Sequence, residues 1–560
     1  MNVKPEHGSS SQGDHLAPYA GRWVALLGRT IIGQGGTPQQ ALRAAKAARP
    51  KENPVVVFVT APKQLAFSEI LERVAAALPG DLPVYLVGGA VRDAMLGKSV
   101  HDLDFVLPGE VMKHARRVAD KLGAAFFPLD EERDAARLIL VDQTGQRRSL
   151  DFASYRGRDL EGDLRARDFT INAMAVDIRS DQALHDPLGG ASDLRDKLLR
   201  ACSPQALADD PIRILRAIRL AASLNFHILP ETRSLMRKAI GGLSKTSAER
   251  SRDELFRIFS GPQPSTSIRA LDLIGALAYI LPELTKLKGV EQSPPHIYDV
   301  WEHTLGVMRQ LENVLQVLQK DYDQEAAANL TMGLVVMRLG RYRGQLETHF
   351  QASINPDRTP RGLLFLAALY HDIAKPRTRQ VEEGGRIRFL RHDQVGEGMV
   401  AERARSLRLS NTETARMRKI VRHHLRPILL AQNQVSLTRR AIYRFFRDTG
   451  PAGVDVCLLS LADVLATHGP GITPDVWTKH LDVVRGLLEA WWENPQESVS
   501  PPEIVNGYEL MNHLQIQPGP VVGRLLEAIR EHQATGNIET KDSALSLAEG
   551  LLQEWGRGEG

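Results

Sequence analysis

Apolar positions change period along this chain, and the changes divide it. GRWVALLGRTIIGQGG at 21–36 predicts a hairpin, TPQQALRAAKAA at 37–48 a capped helix, and NPVVVFVTAP at 53–62 a β-branched strand. Together they predict a small α+β module over residues 17–65, preceded by a polar leader at 1–16 that reads as disordered. An amphipathic helix is predicted to begin near Phe67, and strand and helix patterns continue to about Arg200, so residues 66–200 read as an α/β domain. From residue 201 the period is helical. In DDPIRILRAIRLAASL at 209–224, Asp209 or Asp210 supplies a cap, Pro211 suits the first turn, and Ile212, Leu215, Ile218 and Leu220 provide apolar positions. Domain boundaries are expected at 201–290, 291–470 and 471–560, all mostly helical.

Length and composition narrow the class. A chain of 560 residues is long enough for roughly three or four domains, each with its own core. With 71 basic and 67 acidic residues the balance is nearly even, so any affinity for nucleic acid must come from local patches. Cys202 and Cys457 lie far apart without CxxC spacing, which argues against a disulfide framework or a zinc knuckle and fits a reducing cytoplasm. The N-terminus has no apolar signal core and no later run reads as membrane-spanning, so a soluble cytoplasmic protein without a membrane partner is expected.

The densest chemistry lies at 84–107. An apolar run, Val84 to Val87, ends at Gly88 and Gly89, where missing side chains let backbone amides at a helix start approach a phosphate, and Arg92 adds a fixed positive charge. After Gly97 the segment HDLDFVL reads as a strand, and its period of two places Asp102 and Asp104 on one face. Two such carboxylates can share Mg2+, activating an attacking hydroxyl and holding a triphosphate. Asp151, in RRSLDFASYRG at 147–157, is a candidate third carboxylate; the competing reading is a strand-end acid satisfied by Arg147 and Arg148.

Base choice has a candidate too. Asp210 and Arg213 are three apart and share a helical face. An aspartate accepts from the exocyclic amine that cytosine and adenine both carry, and an arginine donates to the adjacent ring nitrogen, so the pair selects C and A over U and G. Taken alone, the two residues read more readily as an ordinary surface ion pair, and it is their place downstream of the glycine turn and the aspartate pair that reverses the preference.

Assembled, these segments resemble the class II CCA-adding tRNA nucleotidyltransferase and bacterial poly(A) polymerase family from about residue 66 to the C-terminus. GGAVRDAMLG at 88–97 with Asp102 and Asp104 is similar to its catalytic motif, RDFTINAMAVD at 167–177 to its ribose-recognition and head-domain motif, and HDPLGGASDLRDKLLR at 185–200 to the segment joining head and neck. DDPIR at 209–213 matches its base-selecting motif, and SAERSRDEL at 247–255 the helix-capping motif behind it. The chain departs from the family in carrying Ala166 where a first arginine usually stands and Asp209 where Glu is usual. The resemblance implies a polymerase-beta-like head, a helical neck, and addition of CCA to the 3′ end of tRNA from CTP and ATP. It implies that Gly88, Gly89, Arg92, Arg167, Asp168, Asp210, Arg213 and Arg216 bind nucleotide, with Mg2+ on Asp102 and Asp104 and catalysis shared with Asp151. LDEERDAARLIL at 129–140 lies where the family carries a flexible loop.

A second constellation, His303, His371 with Asp372, His392, His423 with His424, and Asp463, resembles an HD phosphohydrolase domain through YHDIAKP at 370–376, EHT at 302–304 and SLADVLA at 460–466. That resemblance implies a divalent metal (Mg, Mn, Ni or Fe) and hydrolysis of phosphate mono- or cyclic diesters. The basic stretches ARMRKIVRHHLRP at 415–427 and TRRAIYRFFRD at 438–448 read either as RNA-backbone contacts or as solvated faces, and residues 504–552 resemble RNA-supporting tail helices. Alternatives are an A-only, CC-only or poly(A)-adding relative, and, from another class, an RNA-binding phosphohydrolase. Residues 17–65 resemble a short module of unknown function found fused to other domains.

Overall fold

The computed structural model describes residues 16, 19, 22–28, 30–35, 38–59, 69–98, 100, 102–141, 147–179, 184–321, 324–355, 358–432 and 437–558. The chain forms two compact units, Met1–Gly242 and Leu243–Gly560. The leader other than Leu16, and the expected helix start near Phe67, lie outside the described residues.

The first unit opens with the small module. Strands β1 (Arg22–Leu27), β2 (Thr30–Gly35) and β3 (Val55–Val59) form an antiparallel sheet in the order β2-β1-β3, and helix α1 (Pro38–Ala48) packs through buried Ala41 and Ala45. Close seating explains Gly33, since a Cβ there would lie 2.4 Å from the Ala45 nitrogen.

The head follows: α2 (Ile70–Ala77), β4 (Tyr85–Val87), α3 (Gly89–Met95), β5 (Asp102–Leu107), α4 (Val111–Leu122), β6 (Ala125–Asp130), β7 (Ala135–Val141), β8 (Arg147–Ser154), α5 (Leu160–Arg165), β9 (Ala175–Asp177) and β10 (Leu184–His185). Its sheet has the order β10-β9-β4-β5-β8-β7-β6, with β5 and β8 parallel and the other pairs antiparallel. Central β5 is buried through Phe105, Val106 and Leu107, as a strand covered on both faces must be, and Phe105 stacks on Phe152 of β8 at 4.8 Å between ring centroids. The 129–140 segment is not a loop here: β6 and β7 form a hairpin about a turn, and Asp134 at the turn accepts hydrogen bonds from the Val111 and Met112 amides that start α4. Those two bonds satisfy otherwise orphaned helix donors.

The rest of the unit contains α6 (Gly190–Arg195), β11 (Leu198–Leu199), α7 (Ala206–Asp209), α8 (Arg213–Leu224), β12 (His227–Ile228) and α9 (Pro230–Ala239). Helix α8 begins later than the sequence pattern predicts. Asp209 closes α7, Asp210 is extended, and no side chain caps α8, so Asp210 is released from a capping role and instead lies 3.7 Å from Arg213.

The second unit is helical apart from a two-stranded hairpin, Arg379–Val381 with Ile387–Phe389. At its centre Val300–Val317 packs against Ala452–His468. Among the described helices, only the stretch Ala452–Gly471 has the length and hydropathy to cross a membrane, but 89% of it is buried inside the protein as a core helix, carrying buried Asp455 and Asp463. The tail helices Gly507–Leu514, Pro520–Ala534 and Lys541–Gly558 share a core of Leu510, Leu525, Ile529 and Ala544.

The basic stretches are taken up inside this unit. Arg440 and Arg444 pair with Glu531 of the tail, and Arg447 with Glu527. Arg416 pairs with buried Asp455, Arg418 with Glu397, Arg422 with Asp393 and Arg426 with Asp448. Each of these arginines thus has a carboxylate partner within the unit.

Candidate active site and metal centre

Strand β4 delivers the chain to Gly88, whose φ of 77° and ψ of −139° lie in a region that L side chains avoid. A Cβ at Gly88 would also lie 3.1 Å from Asp104 Oδ2 and 3.3 Å from Arg167 Nη1. The glycine therefore leaves the space taken by the Asp104 carboxylate and the Arg167 guanidinium. On β5, Asp102 and Asp104 share a face by strand period, and the parallel register sets Asp104 beside Asp151 of β8. Burial raises the Asp104 carboxyl above its ordinary range; Arg167 partly offsets this, and Asp151 and Asp102 add to the rise. Clustered carboxylates with this electrostatic need are a setting for cations.

Asp151 itself is engaged. Arg137 of β7, opposite it in the ladder, donates from Nε to Oδ1 at 2.8 Å and from Nη2 to Oδ2 at 2.7 Å, and Ser149 Oγ donates at 3.2 Å. The partner is neither Arg147 nor Arg148.

The residues expected to bind nucleotide form a linked network. Arg92 donates to Asp93 at 2.8 Å and to Asn172 Oδ1 at 2.6 Å, so its guanidinium ties α3 to the TIN turn. Asn172 donates to Asp168 Oδ1, and Arg216 of α8 pairs with Asp168 Oδ2 at 2.8 Å. Burial would raise the Asp168 carboxyl, but Arg216, Asn172 and the Phe169 amide outweigh it and hold it below the usual range. Arg167 pairs with buried Asp163 at 2.8 Å. Arg213 donates to the carbonyls of Arg167, Ala206 and Ala166, so α8 grips the turn that presents Arg167. Sequence reading missed Asn172, Asp163 and Arg137; four-residue spacings, Asp168 to Asn172 and Asp163 to Arg167, were the available signal for the first two.

In the second unit, six side chains converge, with His371 and Asp372 at the end of one helix and His303, His392, His424 and Asp463 from four others. His303, His371 and Asp463 form one group, and Asp372, His392 and His424 another, each with donor atoms within 4.8 Å of one another and all buried. His303 Nε2 lies 3.1 Å from Asp463 and 3.5 Å from Asp372; His392 Nε2 lies 3.4 Å from both Asp372 and His424 Nε2. His424 thus replaces the expected His423, which stands outside both groups. Burial, with Arg426 nearby, pushes the His423 imidazole down to about 4. Lys375, three residues after Asp372 and also overlooked in the sequence, pairs with it at 2.7 Å.

Orientation is built in. Nδ1 of His371 donates to the Ala368 carbonyl, His392 to Phe389 and His424 to Val421, leaving each Nε2 as the free ligand atom. His371 Nε2, Asp372 Oδ1 and His303 Nδ1 are buried without a hydrogen bond, while Lys375 Nζ sits 2.7 Å from Asp372 Oδ2. Unsatisfied nitrogens and carboxylate oxygens aimed at one another are the donor set of a divalent transition metal, and these residues fit one.

The mixed sheet, the glycine turn and the aspartate face define a nucleotidyltransferase with a polymerase-beta-like head, joined to a buried His and Asp centre of HD type. Family models match in the same order: "Poly A polymerase head domain" at 84–200, an RNA- and SrmB-binding site of polymerase A at 225–288, "HD domain" at 300–468, tRNA nucleotidyltransferase domain 2 at 497–548, and a family of unknown function at 15–62. The A-adding tRNA nucleotidyltransferase of Deinococcus radiodurans is 32% identical over 84% of this chain and 95% of its own, and the CC-adding enzyme of Thermus thermophilus is 32% identical over 83% and 94%. A multifunctional CCA protein of Azoarcus sp. is 41% identical over 40% of this chain and 57% of its own. Solved structures share the fold. A CCA-adding enzyme with CTP has TM-score 0.55 at 20% identity, covering 87% of this chain and 96% of that one; the Thermotoga maritima CCA-adding enzyme complexed with tRNA has TM-score 0.51 at 20%, covering 86% and 94%. The chain belongs to the tRNA nucleotidyltransferase and poly(A) polymerase family.

Proposed function

We propose that this enzyme extends the 3′ end of tRNA with CMP and AMP from CTP and ATP, releasing pyrophosphate, and that its product is CCA. The observation that carries the reading is the Asp102 and Asp104 face beside Gly88, in a chain whose relatives match along nearly their whole length. Asp102 and Asp104 hold Mg2+, which, when bound, lowers the pKa of the RNA 3′ hydroxyl and offsets triphosphate charge. Gly88 and Gly89 leave room for phosphate, and Arg92, through Asn172, holds the glycine turn against the Asp168 network. Arg167 and Asp168 form the ribose side of the site. Asp210 and Arg213 are the acceptor and donor for the groups that cytosine and adenine share.

A second reading, addition of A alone or CC alone, is favoured by one fact: the two near-full-length relatives described above are A-adding and CC-adding enzymes. Purified protein with Mg2+, given tRNA ending at the discriminator base or at CC, with CTP, ATP or both, decides between them at single-nucleotide resolution. A stop at CCA supports the first reading; CC alone or A alone supports the second; an unbounded A tail or no addition overturns both. The HD centre is proposed to hold divalent Mg, Mn, Ni or Fe and to hydrolyse phosphate mono- or cyclic diesters. Loss of p-nitrophenyl phosphate hydrolysis in His371→Ala, with nucleotide addition intact, is the expected result, and loss of addition as well would overturn the division into two sites.

A further inference from the structure

Three carboxylates occupy one face of the head sheet, yet one of them is already matched by a cation of the protein's own. Strands β5, β8 and β7 are consecutive in the sheet, and the registers Asp104↔Asp151 and Arg137↔Asp151 set the three residues in a row across it. Neighbouring strands lie about 4.8 Å apart, so Asp151 is within ligand reach of any cation shared by Asp102 and Asp104. Both of its oxygens are nevertheless consumed by the forked guanidinium of Arg137, with Ser149 on one of them. Bidentate pairing is the strong form of an arginine–carboxylate contact, and a cation would have to displace it to reach Asp151. The Arg137 side chain is 45% exposed, so packing does not account for its place.

We propose that Arg137 is a positioning residue for nucleotidyl transfer: a built-in counter-cation that keeps Asp151 out of the metal-holding set and leaves Asp102 and Asp104 as the pair that binds divalent cations. The inference rests on the nucleotidyltransferase reading. With Arg137 in place the face carries one fewer carboxylate open to a cation, and cations settle where the glycine turn can bring a triphosphate. Freed, Asp151 draws them one strand away from that turn.

The test uses the full chain and five proteins: wild type, D102A/D104A, R137Q, D151N and R137Q/D151N. Mn2+ binding without nucleotide is followed by electron paramagnetic resonance of the free ion, and the head sites are the class that D102A/D104A removes. R137Q is expected to tighten that class by roughly tenfold, because a nearby charge of the same sign as the ligand is lost, while kcat for CMP addition falls. The double variant is expected to return Mn2+ affinity to near wild type and to recover kcat relative to R137Q. Unchanged or weakened Mn2+ binding in R137Q overturns the proposal. So does a double variant no more active than R137Q, since Asp151 would then be a required ligand. Should R137Q fail to fold, R137K, which keeps the charge but loses the fork, is expected to tighten binding by a smaller factor, and no tightening overturns the idea. A wild type that adds no nucleotide defeats the underlying function, whereas the cation isotherms still decide the role of Arg137.

Discussion

Gly88→Ala is the sharpest probe of the head. Two separate costs can be worked out. The backbone at φ 77°, ψ −139° belongs to a region open essentially to glycine alone, so alanine there costs about 1–3 kcal/mol. For a unit of this size that corresponds to a fall in melting temperature of roughly 2–10 °C. The second cost falls on chemistry: the new methyl meets Asp104 Oδ2 at 3.1 Å and Arg167 Nη1 at 3.3 Å, so the carboxylate must give way by a few tenths of an ångström. Misplacing a catalytic group by an ångström costs on the order of a hundredfold, so a drop in kcat of roughly ten- to a hundredfold is expected in a folded protein. Gly80→Ala, outside the site, is the control, because its φ is not positive and its Cβ would find only Arg179 Nη1 at 4.0 Å. Primer extension on tRNA ending in CC, with circular dichroism melts of the same preparations, measures both costs. Gly88→Ala activity within threefold of wild type, or a Gly80→Ala loss as large, would refute the close-approach argument.

Three further outcomes are expected. Arg213→Ala should relax discrimination against UTP and GTP and also lower kcat, because the same guanidinium supports the Arg167 turn; unchanged discrimination in competition assays would defeat the base-pairing role. His424→Ala should lower the metal retained after dialysis while His423→Ala leaves it unchanged, and adding the cation to about a hundred times its Kd should stabilise the wild type by about 2.7 kcal/mol; the reverse ranking by elemental analysis would sink the ligand assignment. Burial pushes the His480 imidazole down to about 4, so the folded state binds fewer protons than the unfolded one below pH 6.5. Stability is therefore lost as pH falls from about 6.5 to 4, by about 3 kcal/mol from this group, and His480→Gln should flatten the denaturation midpoint against pH over that window; an identical slope would refute it.

What the sequence made legible was local. The glycine turn and the aspartate pair lie within one strand–helix–strand unit, so period and turn chemistry locate them without knowledge of the sheet. Asp151 is different: its sequence neighbours Arg147 and Arg148 are the obvious partners, yet its partner is set by the strand order β5-β8-β7, which residue spacing does not encode. Adjacent histidines pose the same difficulty on a helix, where a step of one residue turns the side chain by about 100° and separates His424, inside the centre, from His423, beside Arg426. The arginines at 440–447 look free in sequence because Glu527 and Glu531, which take them up, arrive some eighty residues later.

The HD centre nevertheless carries a regularity that a sequence can display. His371, His392 and His424 all stand where a helix starts or stops, and each uses the carbonyl three residues before it, that of Ala368, Phe389 or Val421, to fix its ring. For His371 and His424 that carbonyl lies in the last turn of the helix they end, where the ladder leaves carbonyls unpaired, whereas His392 uses that of Phe389, the last residue of the strand before its helix. His303, inside a helix, has no such carbonyl, and its ring faces Asp463 at 3.1 Å instead. Leaving its Nδ1, together with Asp372 Oδ1, buried and unsatisfied costs about 1–3 kcal/mol for each group. A fold that keeps several such groups pointed at one another is less stable alone than with a cation among them, so the geometry of this centre is itself an argument for the metal.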